Sequence, residues 1–273
     1  MQFEKEKIDA FAKEIRKNIL VAIASKGSGH VGGSLSIADA FAVLYGAVLN
    51  IDPCDPTKED RDYVVLSKGH TGPAMYATLA LKGYFPLETL KTLNQNNTIL
   101  PSHTDRLKTP GVDVTTGSLG QGASLAAGVA FADRLDGRTN YTYLILGDGE
   151  LDEGQVWESA LFVAHRGLTN LITIVDANGK QLDGTTDDVC ALGSIAEKFR
   201  AFGYHALDVE NGNDTQSIYD AIMAAKEYRD APTADILHTV KGAGVSKYAN
   251  MQNCHSVSVT QQDLAEALAE LDG

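Results

Sequence analysis

Apolar residues recur along the chain in two alternating modes. Short β-branched runs at Tyr63–Leu66, Tyr141–Leu146, Leu171–Asp176, Tyr204–Glu210 and Thr233–Val240 read as strands. Between them, apolar positions at helical spacing predict helices near 72–83, 122–136, 154–166, 192–202 and 214–228, the last introduced by an Asn213/Asp214 cap. Two helical stretches, roughly residues 4–25 and 36–49, precede the first strand, and the first of them carries Phe3, Ile8, Phe11, Ile15 and Ile19 on one side. A C-terminal helix from about Thr260 closes the pattern. Strand and helix alternating over most of the chain imply right-handed βαβ crossovers: an α/β fold with a mainly parallel sheet and helices on both faces. No linker rich in Pro, Gly or Ser divides the pattern and no internal repeat is visible, so residues 1–273 read as a single domain.

Composition narrows the partners. A chain of 273 residues buries about three quarters of its unfolded surface. Acidic residues outnumber basic ones 36 to 23, giving a net charge of -13, which argues against nucleic acid, since a phosphate backbone is bound mainly by neutralising it. Cys54, Cys190 and Cys254 are odd in number and show no Cys-x-x-Cys spacing, so neither a disulfide framework nor a zinc site is suggested and a reducing compartment is expected. The N-terminus is charged from Glu4 and does not read as a signal peptide. The longest apolar stretch, Ala40 to Leu49, is too short to span a membrane. The expectation is a soluble cytoplasmic protein.

In parallel sheets ligands collect at the carboxyl ends of strands, and here those ends are rich in Gly and His. Gly147-Asp148-Gly149 follows one strand, and Asn178 follows the next, thirty positions on. Two hard oxygen ligands at neighbouring strand ends, completed by phosphate oxygens and water, suit octahedral Mg²⁺. The alternative is that Asp148 caps the following helix and Asn178 sits in a turn. A carboxylate beside a diphosphate needs a cation between them, because like charges about 4 Å apart cost roughly 4 kcal/mol at an effective dielectric near 20. Ser67-Lys-Gly-His70-Thr-Gly72 follows Leu66, Thr115-Thr-Gly117-Ser118-Leu119-Gly-Gln-Gly122 precedes the helix at 122, and Lys241-Gly-Ala-Gly244 follows Val240, with His255 beyond. Four of the seven histidines, His30, His70, His103 and His255, lie in such loops, whereas His165 and His205 sit in helical and strand patterns and read as structural. A lone loop histidine is commonly a solvated residue; four flanking strand ends point to function.

Two patterns do not carry chemistry. Gly27-Ser-Gly29-His-Val-Gly32 has the letters of a dinucleotide fingerprint but follows a helix, with no acidic residue at the end of a following strand. Cys254-His255 resembles a thiol and its base, yet adjacent residues seldom point at one another and no orienting Asn or Asp is identifiable.

Taken together, the residues resemble one family closely: the thiamine-diphosphate enzymes, and within them the N-terminal, diphosphate-binding half of transketolase. The likeness runs through Ser28-Gly-His30-Val-Gly-Gly-Ser34, Leu66-Ser-Lys-Gly-His70, Pro110–Gly122, Gly147–Gly154, Asp176-Ala-Asn178 and Lys241-Gly-x-Gly244, in order. It implies that Asp148, Asn178 and the Lys180 carbonyl ligate Mg²⁺, or another divalent cation such as Ca²⁺ or Mn²⁺, which holds the diphosphate. It implies that His70, Gly117, Ser118, Leu119, Gly149 and His255 contact thiamine diphosphate, with Glu153 near the aminopyrimidine side. His30, His103 and His255 are then the catalytic histidines facing the sugar. Glu153 reads equally as a first-turn carboxylate favoured by the helix dipole.

The chemistry implied is reversible transfer of a two-carbon ketol unit from a ketose phosphate to an aldose phosphate. The cofactor is the electron sink and imidazoles move protons at several oxygens. The family's activating glutamate lies in a pyrimidine-binding domain, and residues 256–273 hold only a turn and a short helix. The resemblance is therefore to the first subunit of a split transketolase, inactive alone, whose C-terminal subunit carries the pyrimidine-binding domain in an α2β2 assembly. Departures are Pro101-Ser-His103-Thr-Asp where transketolases tend to have Gly-His-Pro, Ser256-Val after His255 where Gly is frequent, and Lys180 in place of an apolar residue. Other readings are a different thiamine-diphosphate enzyme, such as a deoxyxylulose-phosphate synthase or a 2-oxoacid dehydrogenase component, and a non-catalytic cofactor-binding or assembly module.

Overall fold

The computed structural model of the chain describes residues 3–182 and 184–273. Its helices are α1 (Lys5–Lys26), α2 (Val31–Ser36), α3 (Ala38–Val43), α4 (Gly72–Leu81), α5 (Gln121–Leu135), α6 (Gly154–Arg166), α7 (Thr186–Cys190), α8 (Ile195–Ala201), α9 (Thr215–Glu227), α10 (Ser246–Ala249) and α11 (Gln261–Asp272). Its strands are β1 (Ser28–Gly29), β2 (Tyr63–Leu66), β3 (Thr142–Gly147), β4 (Leu171–Ala177), β5 (Lys180–Gln181), β6 (Gly184–Thr185), β7 (His205–Val209), β8 (Thr233–His238) and β9 (Val257–Ser258).

Five strands form a parallel sheet in the order β2-β3-β4-β8-β7. Central β3 is buried along its whole length and β4 along nearly all of it. That is why both read as continuous apolar runs, whereas edge strand β7 mixes buried positions with partly or fully exposed ones. Tyr143, Ile145, Ile172, Ile174 and Leu237 pack to one side with Ile15, Ile19, Phe41 and Ile222, under α1, α3 and α9. Leu144, Leu146, Val175 and Ile236 pack to the other with Ala126, Ala160 and Phe199, under α5, α6 and α8. All five expected strands are present, and β8 stops short of Val240. There the Thr239 hydroxyl turns to the Asp176 carboxylate and the Val240 N–H donates to Asn213 Oδ1 at 2.8 Å.

Helix ends follow local chemistry. The α1 helix stops at Gly27, whose φ of +91° lets its N–H turn back to the Ile23 and Ala24 carbonyls. Asp214 caps α9 by accepting from the Ser217 N–H at 2.9 Å, as the sequence predicted. Thr260 and Asp263 form a capping box on α11. The second helical stretch departs from expectation. It begins at Val31 rather than 36, breaks at Ile37 and ends in a π-helical turn over Leu44–Val48. Tight packing places the glycine-bearing α2 there against propensity: a Cβ on Gly32 would lie 2.6 Å from Cys254 Sγ.

One core residue is out of character. Asp235 on β8 is fully buried between Ile174 and Leu207 of the flanking strands, and neither carboxylate oxygen has a hydrogen-bond partner. Burial raises its pKa from 3.8 to about 7. Between about pH 4 and 7 the native state keeps a proton that the unfolded chain has released, so stability falls as pH rises through that window. Asp235→Asn is expected to stabilise the chain at pH 8 by on the order of 2–4 kcal/mol. Urea denaturation should show this gain shrinking towards pH 4; a gain independent of pH would refute the assignment.

Candidate active site

The carboxyl ends of the sheet deliver their loops to one cavity of about 320 Å³, a volume suited to a small organic ligand. Lys68 and His70 follow β2, Asp148 and Gly149 follow β3, Asn178 and Lys180 follow β4, and Lys241 lies beyond β8. His30 from the β1–α2 junction, His103, Gly117 and Leu119 from the long loop before α5, and His255 complete the wall.

Asp148 is buried, and its carboxylate accepts from the Gly149 N–H at 2.8 Å and from the Gly179 N–H at 2.6 Å. It therefore sits on the turn that carries Asn178 and Lys180. Burial and neighbouring Asp176 raise its pKa to about 6, against the two N–H donors and Lys68, which favour the charged form. Gly149 permits the close approach: a Cβ there would lie 2.7 Å from the Gln181 Cβ.

Beneath this rim Asp176 and Lys68 form an ion pair at 2.5 Å, with side chains 0% and 3% exposed. Lys68 also donates to the Gly33 carbonyl at 3.1 Å, tying the end of β2 to α2. Burial alone would raise the Asp176 carboxyl, but Lys68 and the Thr239 and Ser36 hydroxyls hold it below the ordinary value. Glu150 is a second buried anchor. It accepts from Ser67 Oγ at 2.5 Å, the Gly120 N–H at 2.8 Å and the Gly147 N–H at 3.1 Å, joining three loops around the cavity. A second cation, Lys241, donates to the Lys180 carbonyl at 2.8 Å, and burial followed by repulsion from Lys68 lowers its pKa.

Four imidazoles face one another above these charges. Ring centroids of His30, His70 and His255 lie 5.0 to 5.2 Å apart, and His103 is 6.3 Å from His30. Burial, and then the charge of Lys68, lowers His70 to about 2; burial, and then Lys241, lowers His255 to about 4; His30 is lowered chiefly by burial. These three rings are neutral at pH 7, each able to donate from one nitrogen and accept at the other.

The cavity thus gathers His30, His70, His103, His255, Gly117, Leu119, Asp148, Gly149, Asn178 and Lys180 of the expected residues. Ser118 and Glu153 do not line it. Ser118 is exposed, and Glu153 is exposed at the start of α6, its position set by the turn that Glu150 anchors. His165 is exposed on α6 and His205 stacks on Tyr228 at 4.2 Å, both away from the cavity. Lys68, Lys241, Glu150 and Gln181 do not stand out in the sequence. Their signal was position, since each lies within a few residues of a strand end.

The donor chemistry fits a hard divalent cation: one carboxylate, one amide oxygen and one main-chain carbonyl on adjoining loops. Among the described residues no three His, Cys, Asp or Glu side chains converge as a metal cluster. Lys68 and Lys241 line the same cavity, and their positive charge suits a phosphate-bearing ligand. Fold and site together define an α/β cofactor-binding domain with its ligand site at the carboxyl edge of the sheet.

The chain belongs to the transketolase family: residues 8–272 match the model for the transketolase thiamine-diphosphate-binding domain. It is 47% identical over 261 residues to a 6-deoxy-6-sulfo-D-fructose transketolase subunit of Clostridium sp. strain MSTE9, covering 96% of this chain and 94% of that protein. It is 38% identical over 267 residues to an apulose-4-phosphate transketolase subunit of Actinobacillus succinogenes, covering 97% and 96%. Transketolase from Leishmania mexicana superposes with a TM-score of 0.92 at 33% identity, covering all of this chain but 42% of that one. This chain is therefore the counterpart of the N-terminal domain of one-chain transketolases and is similar over its whole length to proteins named as subunits. No helix among the described residues is long and apolar enough to cross a membrane.

Proposed function

We propose that this chain is the diphosphate-binding half of a two-subunit cytoplasmic transketolase and carries out ketol transfer only when assembled. Its partner supplies the pyrimidine-binding domain, in an α2β2 complex with thiamine diphosphate and Mg²⁺ or a similar divalent cation. The observation that carries this reading is the meeting of the Asp148–Asn178–Lys180 oxygen set with four facing imidazoles in one cavity. A dehydrogenase or a simple binding module has no use for that many imidazoles.

In this reading Asp148, Asn178 and the Lys180 carbonyl hold the cation. Lys241, beside that carbonyl, would offset charge on the diphosphate, and Gly117, Leu119 and Gly149 would line the cofactor's backbone-facing side. The bound cofactor supplies the electron sink that carbon–carbon cleavage requires. His30, His103 and His255 take up or release protons at the sugar hydroxyl and carbonyl oxygens, and His70 keeps its ring neutral against the cofactor. The domain of residues 1–273 is one unit of this assembly.

The donor is proposed to be a ketose with an anionic group at its far end. The full-length match at 47% to a sulfofructose transketolase subunit, compared with 34% and 38% to two apulose-4-phosphate enzymes, supports a sulfonate as well as a phosphate in that role. The test is to mix the chain with the product of the adjacent reading frame, thiamine diphosphate and Mg²⁺, and offer ketose phosphates and 6-deoxy-6-sulfofructose with aldose phosphate acceptors. Ketol transfer from one of these donors supports the reading, whereas cofactor binding without transfer from any donor favours an assembly module.

A further inference from the structure

We infer that Asp176 is a positioning residue for the metal site: it fixes the Asn178 amide so that its oxygen, and not its nitrogen, faces the cation. The inference rests on the reading of Asn178 as a metal ligand and extends it to a residue that touches neither cation nor cofactor.

An asparagine amide presents a donor and an acceptor of nearly equal size, so its use as a ligand depends on what decides the flip. Here Asn178 Nδ2 donates to Asp176 Oδ2 at 2.9 Å. The reversed amide would set oxygen against a carboxylate and lose that bond, leaving the nitrogen towards the site. Asn178 Oδ1 is left accepting from the Lys180 N–H at 3.2 Å, on the turn that also carries the Lys180 carbonyl. Asp176 has no freedom of its own: Ser36 Oγ at 2.7 Å, Lys68 Nζ at 2.5 Å and the Thr239 hydroxyl all donate to its carboxylate. These partners come from α2 and from the loops after β2 and β8, so one residue is clamped by three elements. Its backbone acts too, since the Asp176 carbonyl accepts from the Asp148 N–H at 3.2 Å. Both side-chain candidates for the metal are thus referred to the same residue. Outer partners of this kind change metal affinity by about 10- to 100-fold when removed.

The experiment titrates the assembled complex with thiamine diphosphate by calorimetry at stepped Mg²⁺ concentrations, for wild type, Asp176→Asn, Asn178→Ala and the double variant. The wild-type complex is expected to need Mg²⁺, and Asn178→Ala to raise the half-saturating Mg²⁺ concentration. Asp176→Asn is expected to raise the half-saturating Mg²⁺ concentration about 10- to 100-fold, and to add nothing in the Asn178→Ala background, because it acts through that amide. Thr239→Val removes one restraint without altering charge and is expected to shift the Mg²⁺ midpoint in the same direction by a smaller factor, so the inference stays testable if Asp176→Asn does not fold. Unchanged Mg²⁺ dependence in both Asp176→Asn and Thr239→Val, or full additivity of the Asp176 and Asn178 effects, overturns the inference. Wild-type binding that ignores Mg²⁺, or Asn178→Ala without effect on it, overturns the underlying metal reading instead.

Discussion

An Asp148→Ala complex is expected to bind thiamine diphosphate about a thousandfold more weakly than wild type at saturating Mg²⁺, with its fold retained. The size follows from charge. Opposite unit charges about 4 Å apart gain roughly 4 kcal/mol at an effective dielectric near 20, and each 1.4 kcal/mol is a factor of about ten in affinity. Asp148 is the only carboxylate among the three proposed ligands, so no neighbour replaces it. Asp148→Asn should lose nearly as much, because its amide keeps an acceptor for the Gly179 N–H but not the charge. Calorimetry of the assembled complex, with circular dichroism as the fold control, decides the point. Wild-type affinity in the Asp148→Asn complex would remove the carboxylate from the metal site.

The largest loss of stability is expected from Arg16→Ala. Arg16 is 8% exposed on α1 and pairs with Asp39, 4% exposed on α3, while its Nε donates to the Ala243 carbonyl at 3.0 Å. Asp39 also accepts from Asn213 Nδ2 at 2.9 Å, so one cluster joins α1, α3 and the loops before α9 and after β8. Gly244 makes room for it: φ is +88°, and a Cβ would lie 2.5 Å from Arg16 Cδ and Nε. Removing the guanidinium leaves Asp39 buried without its counter-charge, at a cost of about 3–5 kcal/mol. Arg16→Met with Asp39→Leu should recover much of this, since apolar replacement of both partners leaves no stranded charge. Because the cluster holds the loop carrying Lys241, Arg16→Ala should also weaken cofactor binding. A denaturation midpoint equal to wild type would show the pair contributes nothing.

Much of the architecture is legible in the sequence because the central strands are buried on both faces and must be apolar throughout. The helix over Val31–Ser36 is not, since its glycines oppose helix and only packing against Cys254 and Lys241 explains it. The ladders β1–β9 and β5–β6 are two residues per strand and leave no periodicity to read. At the candidate site, Asp148 and Asn178 announce themselves by residue type at strand ends and the four histidines by their place in Gly-, Ser- or Thr-bearing loops. Lys68, Asp176, Glu150 and Lys241 do not, because a charged residue reads as surface until its partner is known. Lys68 and Asp176 are 108 positions apart in sequence and in contact only through the sheet. Glu153 shows the converse: a carboxylate in a motif-rich segment that remains exposed at its helix start.

In the proposed reading this chain holds half of an active site, and the other half comes from its partner. Ketol transfer measured for the chain alone, the partner alone and the two mixed, each with thiamine diphosphate and Mg²⁺, tests this without intermediaries. Turnover is expected in the mixture only, rising with partner until the two are equimolar. Turnover by the chain alone, unchanged when the partner is added, would contradict the shared site.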